Sequence, residues 1–327
     1  MGATASRISI RRLTKIFGDA PEAALKLAEA GATRAEIQEK TGAVVGLRDV
    51  AFDVAEGEIL VVMGLSGSGK STTLRCINRL IDPTSGEVLV DGVDVTRLSQ
   101  KELLAFRRAK FGMVFQQFAL FPHRSILANI EYGLEVQGVA PSIRRARALE
   151  AIEQVGLKGW DKALPAQLSG GMQQRAGLAR ALAIDSPILL MDEAFSALDP
   201  LIRRDMQREL VTLQQRLKKT IVFVSHDLDE AIALGGRIVL MRDGMIVQEG
   251  SALAFLNEPA DEYVERFVAH IDVLGVLTAA DVMRPATAAA AATAPAEEIE
   301  RHLAASGTRS VILVDADGRP TGHVTRA

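Results

Sequence analysis

Gly64-Leu65-Ser66-Gly67-Ser68-Gly69-Lys70-Ser71 is the stretch that decides how this chain reads. It fits the pattern G-x-x-x-x-G-K-[ST]. Before it, Glu58-Ile59-Leu60-Val61-Val62-Met63 is a short, mostly apolar run suited to a buried strand. After it, Thr72-Thr73-Leu74-Arg75-Cys76-Ile77-Asn78-Arg79-Leu80 has helical spacing, with Leu74, Ile77 and Leu80 expected on one side. Strand, glycine loop and helix start together make an anion site. The glycines let backbone N–H groups point inward at phosphate oxygens, and the helix N-terminus adds partial positive charge. Lys70 is expected to reach the β- and γ-phosphates, and the Ser71 hydroxyl to ligate Mg²⁺.

That loop specifies only a nucleoside triphosphate. A second phosphate-binding pattern follows far downstream in Leu168-Ser169-Gly170-Gly171-Met172-Gln173-Gln174-Arg175, where a serine and two glycines precede a helix running from Met172 to Ala183. Such an end offers N–H donors and a hydroxyl to a phosphate. Next, Ile188-Leu189-Leu190-Met191-Asp192-Glu193 is an apolar run ending in two carboxylates. A strand brings its C-terminal end to the ligand crevice of a parallel sheet. There Asp192 suits Mg²⁺, a hard cation that takes oxygen ligands, and Glu193 suits orienting and polarising water. Ile221-Val222-Phe223-Val224-Ser225-His226 is another buried strand, ending at a histidine.

In this order the segments resemble the ATP-binding-cassette (ABC) ATPases. The resemblance implies an α/β fold, a P-loop NTPase cassette with a RecA-like core, an antiparallel β subdomain and a helical subdomain. It implies that Gly64, Leu65, Ser66, Gly67, Ser68, Gly69, Lys70, Ser71 and Thr72 wrap the phosphates of ATP. Ser169, Gly170 and Gly171 match the family's signature, and Ala194-Phe195-Ser196-Ala197-Leu198-Asp199 matches its D-loop, with Asp199 at the nucleotide. Asp192 and Glu193 match Walker B, and His226 the switch histidine that contacts the γ-phosphate. Gln116, in Met113-Val114-Phe115-Gln116-Gln117-Phe118, matches the Q-loop glutamine, a ligand of Mg²⁺ beside Ser71 and Asp192. Gln117 is the alternative. Phe17 occupies the place of the aromatic that stacks on adenine, its competing role being a core phenylalanine.

Composition sets outer bounds. A chain of 327 residues exceeds one usual core, so two or more domains are expected. With 48% apolar and 24% charged residues it is globular, and a net charge of −3 gives no basic footprint for nucleic acid. No apolar run approaches the ~20 residues of a membrane-spanning helix, and no secretory signal opens the chain. The lone cysteine, Cys76, excludes a disulfide framework and is expected to pack as a small hydrophobe.

Along the chain, residues 7 to 17 read as a first strand. Residues 20 to 42 are a helical insert: Pro21 to Ala30 is helical in pattern, Thr33-Arg34-Ala35-Glu36 is a capping box, and Gly42 is a stop. This insert is similar to that of the bacterial glycine betaine/proline importers. So are Phe118-Ala119-Leu120-Phe121-Pro122-His123, the tract from Glu193 to Arg203, and Ser225-His226-Asp227-Leu228-Asp229-Glu230-Ala231. The cassette is read as 7–277, with a helical subdomain over 116–168 and a helical extension over 251–277. In the subdomain Arg144, Arg145 and Arg147 read as a solvated face and Trp160 as a packing anchor. Residues 285–296 read as a low-complexity linker or variable loop. Residues 278–327, with a helix from Glu297 to Ala304, a strand Ser310–Val314, a turn Asp315–Gly318 and a strand Thr321–Thr325, resemble part of one cystathionine-β-synthase (CBS) motif.

The resemblance implies the energising subunit of a quaternary-amine or proline importer. Such a subunit works as a head-to-tail homodimer clamping two ATP molecules at the cytoplasmic face of the inner membrane. Its partners are an integral-membrane permease and, indirectly, an extracytoplasmic solute-binding protein, with no nucleic acid. The competing reading is a soluble ABC ATPase acting on DNA or ribosomes, but the coiled-coil insertion or second cassette usual there is absent from the sequence.

Overall fold

The chain opens with β1 (Ser6–Phe17), α1 (Pro21–Glu29), α2 (Arg34–Thr41) and β2 (Val44–Ala55), and β3 (Ile59–Met63) then leads into α3 (Lys70–Ile77). β4 (Ser85–Val90), β5 (Val93–Asp94), α4 (Gln100–Lys110) and β6 (Phe111–Phe115) follow, then α5 (Ile126–Val136), α6 (Pro141–Gln154) and α7 (Gly170–Ala183). The core returns with β7 (Ile188–Asp192), α8 (Pro200–Leu217), β8 (Thr220–Ser225), α9 (Leu228–Leu234), β9 (Arg237–Arg242) and β10 (Met245–Gly250), and α10 (Ala252–Asn257) and α11 (Glu262–Val268) extend it. This computed structural model describes residues 6–116, 119–269, 289–306 and 310–325. The chain divides into two compact units, Met1–Asp272 and Val273–Ala327.

In the first unit the central sheet runs β10-β9-β3-β8-β7-β6, parallel throughout except for β10. The central strands β3, β8 and β7 are apolar and buried in both phases because both faces are covered. Val61, Met63, Leu189, Met191, Ile221 and Phe223 point into one core, shared with α5 to α9. Leu60, Val62, Ile188, Leu190, Val222 and Val224 point into the other, shared with α3 and the antiparallel sheet β2-β1-β4-β5. Cys76 is wholly buried in that second core, as expected.

Local chemistry sets the helix ends. Thr33 and Glu36 close a reciprocal capping box on α2, Gly42 ends that helix in the left-handed region at φ 68°, and Pro21, Pro141 and Pro200 open α1, α6 and α8. The insert α1–α2 has its own small core of Ile16, Ala24, Ala28, Ile37 and Val45. Arg34 and Arg48 tie it to the sheet by donating to the carbonyls of Val45, Ala28 and Ala32.

Two expectations change here. α3 stops at Ile77, because Arg79 turns into the left-handed region (φ 53°) and the Asn78 side chain accepts the Leu80 N–H, so Leu80 is exposed instead of sharing the Leu74 face. Trp160 is exposed in a pair of tight turns, and the helical subdomain is anchored instead by Ile130, Leu134, Ile152, Leu157 and Leu168. The helix expected from Met172 to Ala183 is α7, and it lies against α5 and α6.

The second unit contains β11 (Ala289–Ala291), α12 (Ala296–Ser306), β12 (Ser310–Val314) and β13 (Pro320–Thr325) in a sheet of order β11-β12-β13. Part of the expected low-complexity stretch is thus a strand. Ala289–Ala291 pairs in parallel with Ile312–Val314 of the middle strand β12, and small Ala290 fits in the core beside Leu303 and Val311, so pairing overrides a weak strand propensity. In the turn before β13 the Asp315 carboxylate accepts the N–H groups of Asp317 and Arg319. Thr278–Met283 lies outside the described residues.

Candidate active site

Strand order assembles the site. β3, β8, β7 and β6 are neighbours in that sequence and parallel, so their C-terminal ends share one edge. From that edge emerge the glycine loop 64–69, His226, the pair Asp192 and Glu193, and Gln116. Segments far apart in sequence therefore meet in one crevice, where ligands of open α/β sheets bind.

The polar contacts in the crevice converge on the two carboxylates. Ser71 Oγ donates to Asp192 Oδ1 at 2.6 Å, and Arg75 Nη2 donates to Asp192 Oδ2 at 3.2 Å. Gln116 Nε2 donates to Glu193 Oε2 at 3.4 Å, and His226 Nδ1 lies 3.5 Å from the same oxygen. Glu193 holds a left-handed backbone (φ 46°), its N–H donating to Val224 O at 3.1 Å. A non-glycine residue kept there is a local strain of the kind that collects at functional sites. Lys70 is buried, with Nζ donating to Gly64 O at 2.8 Å and Leu65 O at 3.0 Å. Burial lowers the pKa of this ammonium, and Glu193 and Asp192 pull it back up.

The phosphate loop is clasped by backbone. A Cβ on Gly69, which sits at φ +104°, would stand 2.7 Å from Leu47 Cδ2 and 2.9 Å from Gly46 O. A Cβ on Gly244 would stand 2.6 Å from the same Gly46 oxygen. Gly244 N–H donates to Ser68 O at 3.0 Å, and Arg48 N–H to Gly244 O at 2.8 Å. Phe17 lies across Gly46, 40% exposed, with Lys15 Nζ 5.0 Å from its ring centre. At that exposure the ring lies outside the packed core.

The residues fit a magnesium nucleotide. Ser68 Oγ is buried without a partner inside the loop, an orphan that a phosphate oxygen would satisfy. Among the described residues no group of three or more His, Cys, Asp or Glu could hold a metal ion. A cation here would take Ser71, Asp192 and Gln116 oxygens and complete its shell from phosphate and water, as Mg²⁺ does.

Ser169 caps α7, its hydroxyl accepting the Met172 N–H at 3.4 Å, and Gly170 and Gly171 begin that helix. Among the described residues no hydrogen bond or ion pair joins Ser169, Gly170 or Gly171 to the phosphate loop of the same chain. Asp199 is the residue before α8 and makes no side-chain cap bond. Gln117 and Phe118 lie outside the described residues. Sequence reasoning missed Arg75, which helps hold Asp192. Its signal was the four-residue spacing from Ser71, which puts both on one helix face.

A glycine loop with its lysine, two carboxylates at the end of the next strand but one, and a glutamine and a histidine around the second carboxylate are the arrangement of a nucleoside-triphosphate cassette. Residues 47–196 match the family model of ABC transporters. The glycine betaine transport ATP-binding protein OpuAA of Bacillus subtilis is 54% identical over 280 residues, 86% of this chain and 67% of the relative. The glycine betaine/carnitine transport ATP-binding protein GbuA of Listeria monocytogenes is 50% identical over 323 residues, 98% of this chain and 81% of the relative. A dimeric structure of the ATP-binding cassette MJ0796 in a post-hydrolysis state with ADP and Pi aligns with a TM-score of 0.63 and 35% identity, covering 75% of this chain and 98% of that one. This chain belongs to the ABC transporter family, as one of its ATP-binding subunits.

Proposed function

We propose that this chain hydrolyses ATP to drive import of glycine betaine, proline betaine or a related quaternary amine, at the cytoplasmic face of the membrane. The observation that carries the reading is the meeting of Lys70, Asp192, Glu193, Gln116 and His226 at one sheet edge, in a chain half or more identical to betaine-transport subunits. Among the described residues no helix is long and apolar enough to cross a membrane. The likeness to ATP-binding subunits of transport systems assigns the solute path to a separate permease.

The chemistry follows from the residues. The loop N–H groups and Lys70 bind the phosphates, and Phe17 stacks on the base. Mg²⁺, held by Ser71, Asp192 and Gln116, would offset phosphate charge. Glu193 takes the proton of the attacking water, with Gln116 and His226 orienting it and the γ-phosphate. Ser169 and Gly171 complete the site from a second copy, a reading supported by the lack, among the described residues, of any hydrogen bond from them to the phosphate loop of their own chain. A dimeric relative supports that arrangement.

The permease docks beside Gln116. A groove of about 610 Å³ there is lined by Ala119, Leu120, Pro122, Pro165, Ala166 and Gln173. Phe121 plays a different part: its ring packs edge-on to Tyr132 at 4.7 Å and braces the helical subdomain. The test is co-expression with the neighbouring permease and solute-binding subunits and reconstitution in vesicles loaded with ATP. Uptake of labelled betaine that stops with Glu193→Gln is expected. Absence of ATP-driven uptake of betaine, proline, carnitine and choline alike refutes the assignment.

A further inference from the structure

The first turns of α8 join three functional loops of the same chain. At its start Ile202 is seated directly under the signature glycine: a Cβ added to Gly171 would stand 2.6 Å from Ile202 Cγ2. The next residue, Arg203, forks in two directions. Nη2 donates to the carbonyls of Ser196 at 3.4 Å and Leu198 at 3.2 Å, both in the D-loop, and Nη1 donates to Asp227 Oδ2 at 3.2 Å. Asp227 follows His226 directly, and its other oxygen caps α9 by accepting the N–H groups of Asp229 and Glu230. One helical turn on, Gln207 Nε2 donates to Glu230 Oε1 at 3.2 Å, and the buried Glu230 carboxylate accepts the Ser225 hydroxyl. Ser225 Oγ in turn accepts the Asp227 N–H at 2.9 Å. The whole turn that carries His226 is therefore held from one face of α8.

A planar guanidinium is suited to this work. It serves three acceptors on two loops at fixed angles, which a lysine cannot. Removing it strands the Asp227 carboxylate and two D-loop carbonyls together. We propose that Arg203 is a positioning residue that locks the D-loop to the turn 225–230, so that the seating of α8 under Gly171 sets where His226 stands. The inference rests on the catalytic reading of His226 and of a two-copy site. In that reading the signature works on the partner copy's nucleotide and His226 on its own, and Arg203 lies between them.

The experiment measures kcat, KM for ATP, fluorescent-nucleotide affinity and melting temperature for the full chain. The variants are Arg203→Ala, Arg203→Lys, His226→Ala and the double Arg203→Ala/His226→Ala, with residual rates read from labelled phosphate release. Arg203→Ala is expected to lower kcat by about tenfold with KM and nucleotide affinity within about twofold, the pattern of an interaction needed only in the transition state. Lysine does not restore kcat. In the His226→Ala background the same change lowers kcat no further, although it shifts the melting temperature as much as in the wild type. If Arg203→Ala multiplies the loss in the double variant, or moves kcat and KM together, Arg203 is merely structural and the proposal is wrong. If His226→Ala itself retains the wild-type rate, the catalytic reading fails and takes the proposal with it. Should Arg203→Ala not fold, Arg203→Lys alone decides: it keeps a charge opposite Asp227 but loses the fork, and an unchanged kcat overturns the inference.

Discussion

Replacing Glu193 by glutamine removes one property and spares the others. Its backbone sits at φ 46°, a cost that glutamine bears no worse than glutamate. The amide oxygen can still accept the Gln116 N–H now 3.4 Å away, and Asp192, with its bonds from Ser71 and Arg75, is untouched. Folding stability is therefore expected to change by less than about 1 kcal/mol, as for most changes outside a packed core. What disappears is the base. Loss of a general base lowers a rate by about 10² to 10⁴, or about 3 to 5 kcal/mol of barrier at 1.36 kcal/mol per decade. Phosphate release at saturating ATP should fall by that factor while ATP affinity holds, and size exclusion with MgATP should show a dimer that persists. Lys70→Ala is the contrasting control: it loses a charged donor to the phosphates and should weaken ATP binding about 10- to 100-fold. A Glu193→Gln protein that hydrolyses ATP within tenfold of the wild type would refute the assignment of the base.

Other outcomes follow from buried or capped groups. The Cys76 thiol, wholly buried on the helix behind the phosphate loop, has its pKa pushed up to about 12 by burial, so alkylation at pH 8 should wait for unfolding; prompt stoichiometric labelling of the native chain contradicts this placement. Burial raises the Glu230 pKa above its ordinary 4.5, with the Ser225 and Gln207 hydrogen bonds opposing. A carboxyl whose folded pKa is raised favours the fold below its unfolded pKa and loses that contribution as pH climbs through the folded value. Glu230→Gln should thus gain stability relative to the wild type as pH rises from 4.5 upward, and melting curves with a constant difference across that range would show the sign to be wrong. Thr33→Ala breaks the capping box on α2 and should cost about 1 kcal/mol. The cost should appear as lost amide protection over 34–41 with ATPase activity unchanged.

The site was legible because its chemistry is written in short contiguous runs. Strand, glycines, Lys70 and Ser71 are consecutive, and so are the apolar strand and its terminal Asp192 and Glu193. The fold was legible where periodicity and capping agree, as in β1, α2 and the buried central strands. What stayed hidden depends on contacts between distant segments. Arg75 and Arg203 are ordinary helix-surface arginines until β7 and the 225–230 turn arrive beside them. Leu80 fits a helical stripe, but the stripe holds no record of the chain reversing at Arg79. Trp160 looks like an anchor by size alone, whereas burial was decided by smaller aliphatic residues on α5, on α6 and in the segment between α6 and α7. Ala289–Ala291 becomes a strand only because a partner edge is available.

The meeting of Gly46, Gly69 and Gly244 has a consequence for building hybrid cassettes. These residues come from β2, the phosphate loop and the turn between β9 and β10. A side chain at 69 or at 244 would strike the same Gly46 oxygen, and Phe17 covers the other approach to position 46. A graft that transplants the loop alone from another protein inherits a mould shaped by two segments it did not bring. Segments 15–18, 44–48, 64–70 and 242–245 are thus the smallest unit that can be exchanged intact, and crossover points belong in the exposed turns outside it.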